Sequence, residues 1–230
     1  MVRRVMNLVY KEVRGLHQAA YVLGIFAFGS QILALVRDRM LAHQFGAGID
    51  LDLYYAAFRI PDLMYVVFAS TLSVYVLIPF VAERMRRDDG EEARALLSQM
   101  FTIFLFVYTL IAAIVFVAIP YVVPYIFPGV SGETEALSNL IRILLLQPLF
   151  LGLSSLFGVV TQLGHRFVLY ALSPLLYNVG IIIGIGFLYP HFGLSGLAYG
   201  VVLGACAHFC IQVPLVQKSA LRFSLARTID

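Results

Sequence analysis

From Phe167 to Gln217 the chain carries no Asp, Glu, Lys or Arg over 51 residues. A run of that length is too long for one helix of about 20 apolar residues across a bilayer and is long enough for two. The cluster Tyr189-Pro190-His191-Phe192-Gly193 is the natural place to divide it. The same pattern of charge-free windows separated by short polar clusters repeats upstream. The windows predict helices at about 16–36, 53–80, 96–119, 137–163, 167–189 and 193–217, with a kink at Gln147-Pro148 in the fourth. With 61% hydrophobic residues, 13% charged residues and a mean hydropathy of +0.90 over 230 residues, a single soluble core is excluded. Membrane strands would alternate apolar and polar residues, and these windows are apolar on every side. Helices alone can then satisfy the backbone within each segment. The fold class expected is an all-α integral membrane protein, a six-transmembrane-helix bundle.

The lead-in, residues 1–15, is basic, and the window that follows from Gly15 to Val36 exceeds a signal h-region and has no small-residue cleavage site behind it. It reads as a retained first helix, preceded by a cytoplasmic lead-in or a short interfacial segment over Val2 to Arg14. Orientation follows from the cations outside the spans. The lead-in, the loop around Arg84, Arg86, Arg87 and Arg94, the loop at Arg166, and the tail 218–230 with Lys218, Arg222 and Arg227 fall on one side when six helices alternate. Only Arg37 and Arg39 fall on the other. Both termini are therefore expected in the cytoplasm, and the lopsided split supports the count of six.

Ionisable residues in or beside a span are costly and normally face a wet cavity or a partner. Here they are Arg37, Asp38 and Arg39 at the end of helix 1, Arg59 and Asp62 at the start of helix 2, and Arg142 in helix 4. Arg39 and Arg142 read as snorkelling to the outer headgroups. Arg37, Asp38 and Arg59 are balanced between that and a cavity, where a guanidinium fork would grip an anionic headgroup. A net charge of +3 gives no reason to expect nucleic acid. Gly46-Ala47-Gly48 is too short for a nucleotide loop. Cys206, His208 and Cys210 share a helix, but His208 points about 200° away from Cys206, so small-residue packing is expected rather than a metal. No nucleophile, base and orienting group can be assembled, and neither an enzyme nor a cofactor is expected. Gly180-Ile181-Ile182-Ile183-Gly184 and Gly196-Leu197-Ala198-Tyr199-Gly200 have the spacing of close helix contacts in lipid, expected here within the chain.

One stretch is more specific. Val36-Arg37-Asp38, Leu41-Ala42, Phe45-Gly46-Ala47-Gly48, Asp52, Ala57-Phe58-Arg59-Ile60-Pro61-Asp62-Leu63, Ile78-Pro79 and Ala82-Glu83 together resemble the N-terminal signature of the MurJ/MviN lipid II flippases of the multidrug, oligosaccharidyl-lipid and polysaccharide exporter superfamily. His165-Arg166-Phe167, Pro174 and Asn178 resemble that family's junction between helices 4 and 5. The resemblance implies two pseudosymmetric six-helix lobes around a cationic cavity, with two further helices. It also implies alternating-access movement of a diphosphate-linked peptidoglycan precursor to the outer leaflet of the bacterial cytoplasmic membrane. This chain would be the first lobe, partnered by a second of six to eight helices in the same or another chain. Carried over residue by residue, the implied substrate-binding positions are Arg37, Asp38, Asp52, Arg59 and Asn178. The sequence departs from the family pattern at Gln31, where an arginine is usual, at Tyr65-Val66, where paired arginines are usual, and at Ser70, where an acidic residue is usual. Two alternatives stand beside the lipid II reading: a flippase for another polyprenyl-linked saccharide, and a non-transporting membrane scaffold.

Overall fold

The computed structural model of the chain describes residues 15–71, 74–87, 90–219, 221–223 and 225–226; the expected interfacial segment Val2 to Arg14 lies outside the described residues. The described residues form helices and contain no strand. They are α1 (Leu16–Phe45), α2 (Ile49–Thr71), α3 (Val74–Arg87), α4 (Glu91–Ile126), a 3-10 turn (Pro128–Glu133), α5 (Thr134–Leu144) and α6 (Leu146–Leu163). After these come α7 (Phe167–Ile183), a π turn (Gly184–Leu188), α8 (Tyr189–Phe192), α9 (Leu194–Cys210) and α10 (Val213–Lys218).

Five helical stretches among the described residues are long and apolar enough to cross a membrane: His17–Phe45, Glu91–Ile126, Thr134–Leu163, Phe167–Phe192 and Leu194–Lys218. The remaining expected window, 53–80, is divided between α2 and α3. Helix ends also run past the charge-free windows. α1 continues through Arg37, Asp38 and Arg39 to Phe45, and α4 spans 36 residues. The reason is that hydropathy marks the lipid-matched part of a helix, whereas the helix ends where the backbone ladder is capped. For α1 that point is Gly46, whose φ of 57° suits glycine and whose N–H bonds the Ala42 carbonyl at 3.0 Å.

The kink expected at Gln147-Pro148 falls at Leu145, a single turn residue between α5 and α6 that keeps right-handed helical torsions. Pro148 has no N–H to give the Leu144 carbonyl. The Tyr108 hydroxyl crosses from α4 to the Leu145 carbonyl at 2.5 Å and ties off the break. The division expected near Tyr189-Pro190 falls at Gly193, again at a φ of 57°.

Two apolar cores hold the bundle. One gathers Leu41, Tyr54, Ala57, Ile141, Leu144, Ile181, Leu197 and Val201 from α1, α2, α5, α7 and α9. The other gathers Met64, Leu97, Phe104, Tyr108, Leu156 and Val160 around α4 and α6. Between α7 and α9 the glycines interlock within the chain, as their spacing predicts. A Cβ on Gly200 would stand 2.4 Å from the Gly184 Cα, and one on Gly204 would stand 2.4 Å from the Tyr177 carbonyl oxygen. Outward, α1 and α4 present Tyr21, Ile25, Phe28, Leu35, Phe106, Ile114, Val117 and Tyr121. Apolar faces of that extent belong in lipid or against another protein surface.

Candidate functional site

Pairs of residues one helical turn apart build a cavity of about 350 Å³ between four helices. α1 contributes Arg37 and Leu41, α7 contributes Tyr177 and Ile181, and α6 contributes Gln147 from just beyond the break. α2 contributes Tyr54, Phe58 and Asp62, which an interval of four residues stacks on one face, with Tyr55 at the edge of that face.

Arg37 is the cation of this cavity, and it is held from two sides. Its Nε donates to Asp38 Oδ1 at 2.8 Å, and its Nη1 donates to Asn178 Oδ1 at 3.3 Å. Asn178 is itself fixed. Its Nδ2 donates to Ser30 Oγ at 3.0 Å and to the Pro174 carbonyl at 3.2 Å. With the amide nitrogen so engaged, its oxygen can face only the guanidinium. Arg37 thus sits with a quarter of its side chain accessible, and its other N–H donors have no partner among the described residues. A planar fork oriented in this way suits a phosphate oxygen pair.

The opposite wall is an acceptor. Gln147 Nε2 donates to Asp62 Oδ1 at 3.4 Å. Gln147 is only 4% exposed, and its Oε1 has no hydrogen-bond partner among the described residues. An acceptor buried without a partner costs about 1–3 kcal/mol.

Arg59 and Asp52 lie elsewhere. They line a separate cavity of about 330 Å³ with Tyr55, Ala56, Phe127, Gly129 and Val130. On a helix turning about 100° per residue, positions 52, 55, 56 and 59 form the face next to 54, 58 and 62. Tyr55 borders both cavities. Of the five residues expected at the site, the fold therefore brings Arg37, Asp38 and Asn178 together and sets Asp52 and Arg59 behind Tyr55. Arg142 is remote from both: its Nε bonds the Phe116 carbonyl at 3.0 Å and its guanidinium lies 4.8 Å from the Phe116 ring centre.

A second polar group sits in the bundle between α6, α9 and α10. Ser154 Oγ lies 2.6 Å from His208 Nδ1 and accepts from Gln212 Nε2 at 2.5 Å, while Thr161 Oγ1 lies 3.4 Å from Gln212 Oε1. His208 is turned to Ser154, away from Cys206 and Cys210, whose sulfurs lie 3.7 Å apart. Among the described residues no cluster of His, Cys, Asp and Glu could hold a metal ion. Tyr65, at one of the positions where the sequence departs from the resemblance, lines a cavity beside this network together with Ser155 and Tyr170.

The family model for lipid II flippase MurJ matches residues 41–229. The chain belongs to this family. Among curated proteins it is 26% identical over 208 residues to the lipid II flippase MurJ of Burkholderia cenocepacia, covering 88% of this chain and 40% of that protein. It is 30% identical over 203 residues to the probable lipid II flippase MurJ of Buchnera aphidicola subsp. Schizaphis graminum, covering 85% and 39%. A solved structure of lipid II flippase MurJ in an inward closed conformation superposes with a TM-score of 0.74 at 26% identity, covering 91% of this chain and 44% of that one. The chain thus spans about 40% of the length of the curated relatives it matches. The family is one of membrane transporters rather than enzymes, and the multiple apolar helices fit a multi-pass protein of the bacterial inner membrane.

The resemblance named Arg37 and Asn178 for one site, and the fold brings the two within hydrogen-bonding distance; neither it nor the sequence revealed Ser30, Tyr54, Tyr177 or the pairing of Asp62 with Gln147. A signal for part of this was present. Tyr54, Phe58 and Asp62 recur at intervals of four on one face of the helix, and Asp52 and Arg59 fall on the adjacent face, which separates the Asp62 position from the Arg59 position.

Proposed function

We propose that this chain forms one lobe of a lipid II flippase, in which the Arg37 cavity receives the diphosphate of an undecaprenyl-linked peptidoglycan precursor during alternating access. The observation that carries the reading is the Arg37 guanidinium, oriented by Asp38 and Asn178 in a cavity between apolar helices with N–H donors left over. Arg59 and Asp52 would meet the headgroup as it passes Tyr55. Alternating access needs two bundles rocking around the site, so the working protein would include a second lobe of six to eight helices in the same or a separate chain. Both termini of this lobe would lie in the cytoplasm, as the cation bias argues.

The test is lipid II translocation in proteoliposomes containing the full-length protein. Arg37→Ala should abolish it, while Arg39→Ala, on an exposed position of the same helix, should leave it intact. Unchanged transport by the Arg37 variant overturns the assignment. A second reading, a flippase for a different polyprenyl-linked saccharide, is favoured by Gln31, Tyr65 and Val66 standing where the family pattern has arginines. Competition between lipid II and other polyprenyl diphosphate sugars decides between the two.

A further inference from the structure

The cavity that holds Arg37 has two chemically opposite walls. On the α1 side stands a donor-only guanidinium. On the side of α2 and α6 stand an Asp62 carboxylate exposed to the cavity and the Gln147 amide, whose donor is committed to Asp62 and whose Oε1 is unpartnered. The amide cannot turn over to solve this, because its oxygen would then face the carboxylate. A diphosphate has nothing to offer that wall: it carries oxygen acceptors, and Asp62 repels it. A sugar with free hydroxyls and N-acetyl N–H groups has the complementary donors.

Resting on the diphosphate-binding reading above, we propose that Asp62 and Gln147 form a saccharide-selecting wall that accepts hydrogen bonds from the hydroxyl and amide N–H groups of the headgroup, while Arg37 takes the phosphate. The cavity then discriminates in favour of glycosylated carriers over bare polyprenyl diphosphate. Gln147 serves this role because its buried Oε1 has no partner among the described residues, while its Nε2 joins the first turn of α6 to Asp62 on α2.

The experiment compares undecaprenyl diphosphate and lipid II as ligands of the full-length protein in nanodiscs, by native mass spectrometry. Gln147→Met keeps the length of the side chain and removes its polar end. It should weaken lipid II about tenfold, as expected for one lost hydrogen bond, and leave undecaprenyl diphosphate within about twofold. Asp62→Asn, at a position exposed to the cavity, guards against misfolding of the first variant. By removing a charge that repels phosphate it should weaken lipid II and strengthen undecaprenyl diphosphate. Equal shifts for both lipids, or no shift for either, overturn the proposal while leaving the phosphate reading in place. If the unaltered protein binds neither lipid, the phosphate reading itself fails and the inference falls with it. Arg37→Ala identifies that reading separately, since it should weaken both ligands together.

Discussion

Gly204 offers a direct test of whether packing between α7 and α9 sets the geometry around Arg37. Replacing it with alanine adds one carbon, which would stand 2.4 Å from the Tyr177 carbonyl oxygen and 3.1 Å from the Tyr177 Cα. Ordinary contact begins near 3.4 Å, so α7 and α9 must separate by about 1 Å at this level. The atoms in the way are backbone, which cannot rotate aside. Overpacking of this kind costs about 1–3 kcal/mol. The displaced residue adjoins Asn178, whose contact with Arg37 is already 3.3 Å. A movement of α7 by about 1 Å is large on the scale of that contact and must alter how Asn178 holds the guanidinium. Gly24 in α1 is the control, because a Cβ there meets nothing within 4 Å. Alanine at that position should stabilise the helix by up to about 1 kcal/mol. The two variants should thus separate by about 1–4 kcal/mol in SDS-induced unfolding followed by helical circular dichroism, with opposite signs relative to the unaltered protein. Gly204→Ala should also weaken binding of a polyprenyl diphosphate. Equal stability of the two variants would refute the close approach of α7 and α9. A destabilised Gly204→Ala that binds normally would refute its link to Arg37.

The remaining predictions concern the helix break and the two arginine cavities. Tyr108→Phe removes the hydroxyl that reaches the Leu145 carbonyl and should lower stability by about 1 kcal/mol in the same unfolding assay; no loss would mean that the break is tied off by other contacts. Arg37→Ala and Arg59→Ala act in cavities that share only Tyr55 among their lining residues. Their effects on binding free energy should therefore add within about 0.5 kcal/mol, measured as a double-mutant cycle with lipid II, and a larger coupling would show that one phosphate group touches both side chains.

What the sequence disclosed and what it concealed divide along a physical line. Absence of charge over 167–217 located two spans because transfer of a backbone segment into hydrocarbon depends on that segment alone. Pro148 and Gly193 located interruptions for a similar reason: a missing N–H and a positive φ are local facts. The Gly180, Gly184 and Gly200 spacing went one step further and identified faces, although which helix each face would meet came only from the fold. Helix ends were less legible. Arg37 to Arg39 look like a boundary by hydropathy, yet α1 carries on to Phe45, since a charged residue leaves the lipid-matched region without breaking the backbone ladder.

The Arg37 cavity was the least legible feature, and Asp62 with Gln147 shows why. Each residue had a sufficient local explanation: Asp62 as a charge at the entrance to a span, Gln147 as the neighbour of a kinking proline. Nothing within either helix asks for a partner 85 residues away. The demand arises only when Gln147 is buried at the cavity wall, because its amide, which water would otherwise satisfy, must then find a partner there. Arg59 is the converse case. The resemblance grouped it with Arg37, and the helical register of α2 separates them: Asp52, Ala56 and Arg59 turn to one side of Tyr55, and Tyr54, Phe58 and Asp62 turn to the other. A motif conveys which residue types a family keeps together along the chain. Which of them can touch one ligand at one moment is decided by about 100° of rotation per residue and by the helix that each face is pressed against. In the cavity between α1, α2, α6 and α7 the result is one oriented cation, Arg37, opposed by the acceptors of Asp62 and Gln147. On the proposal above, recognition there would depend on the donors of the headgroup as much as on its charge.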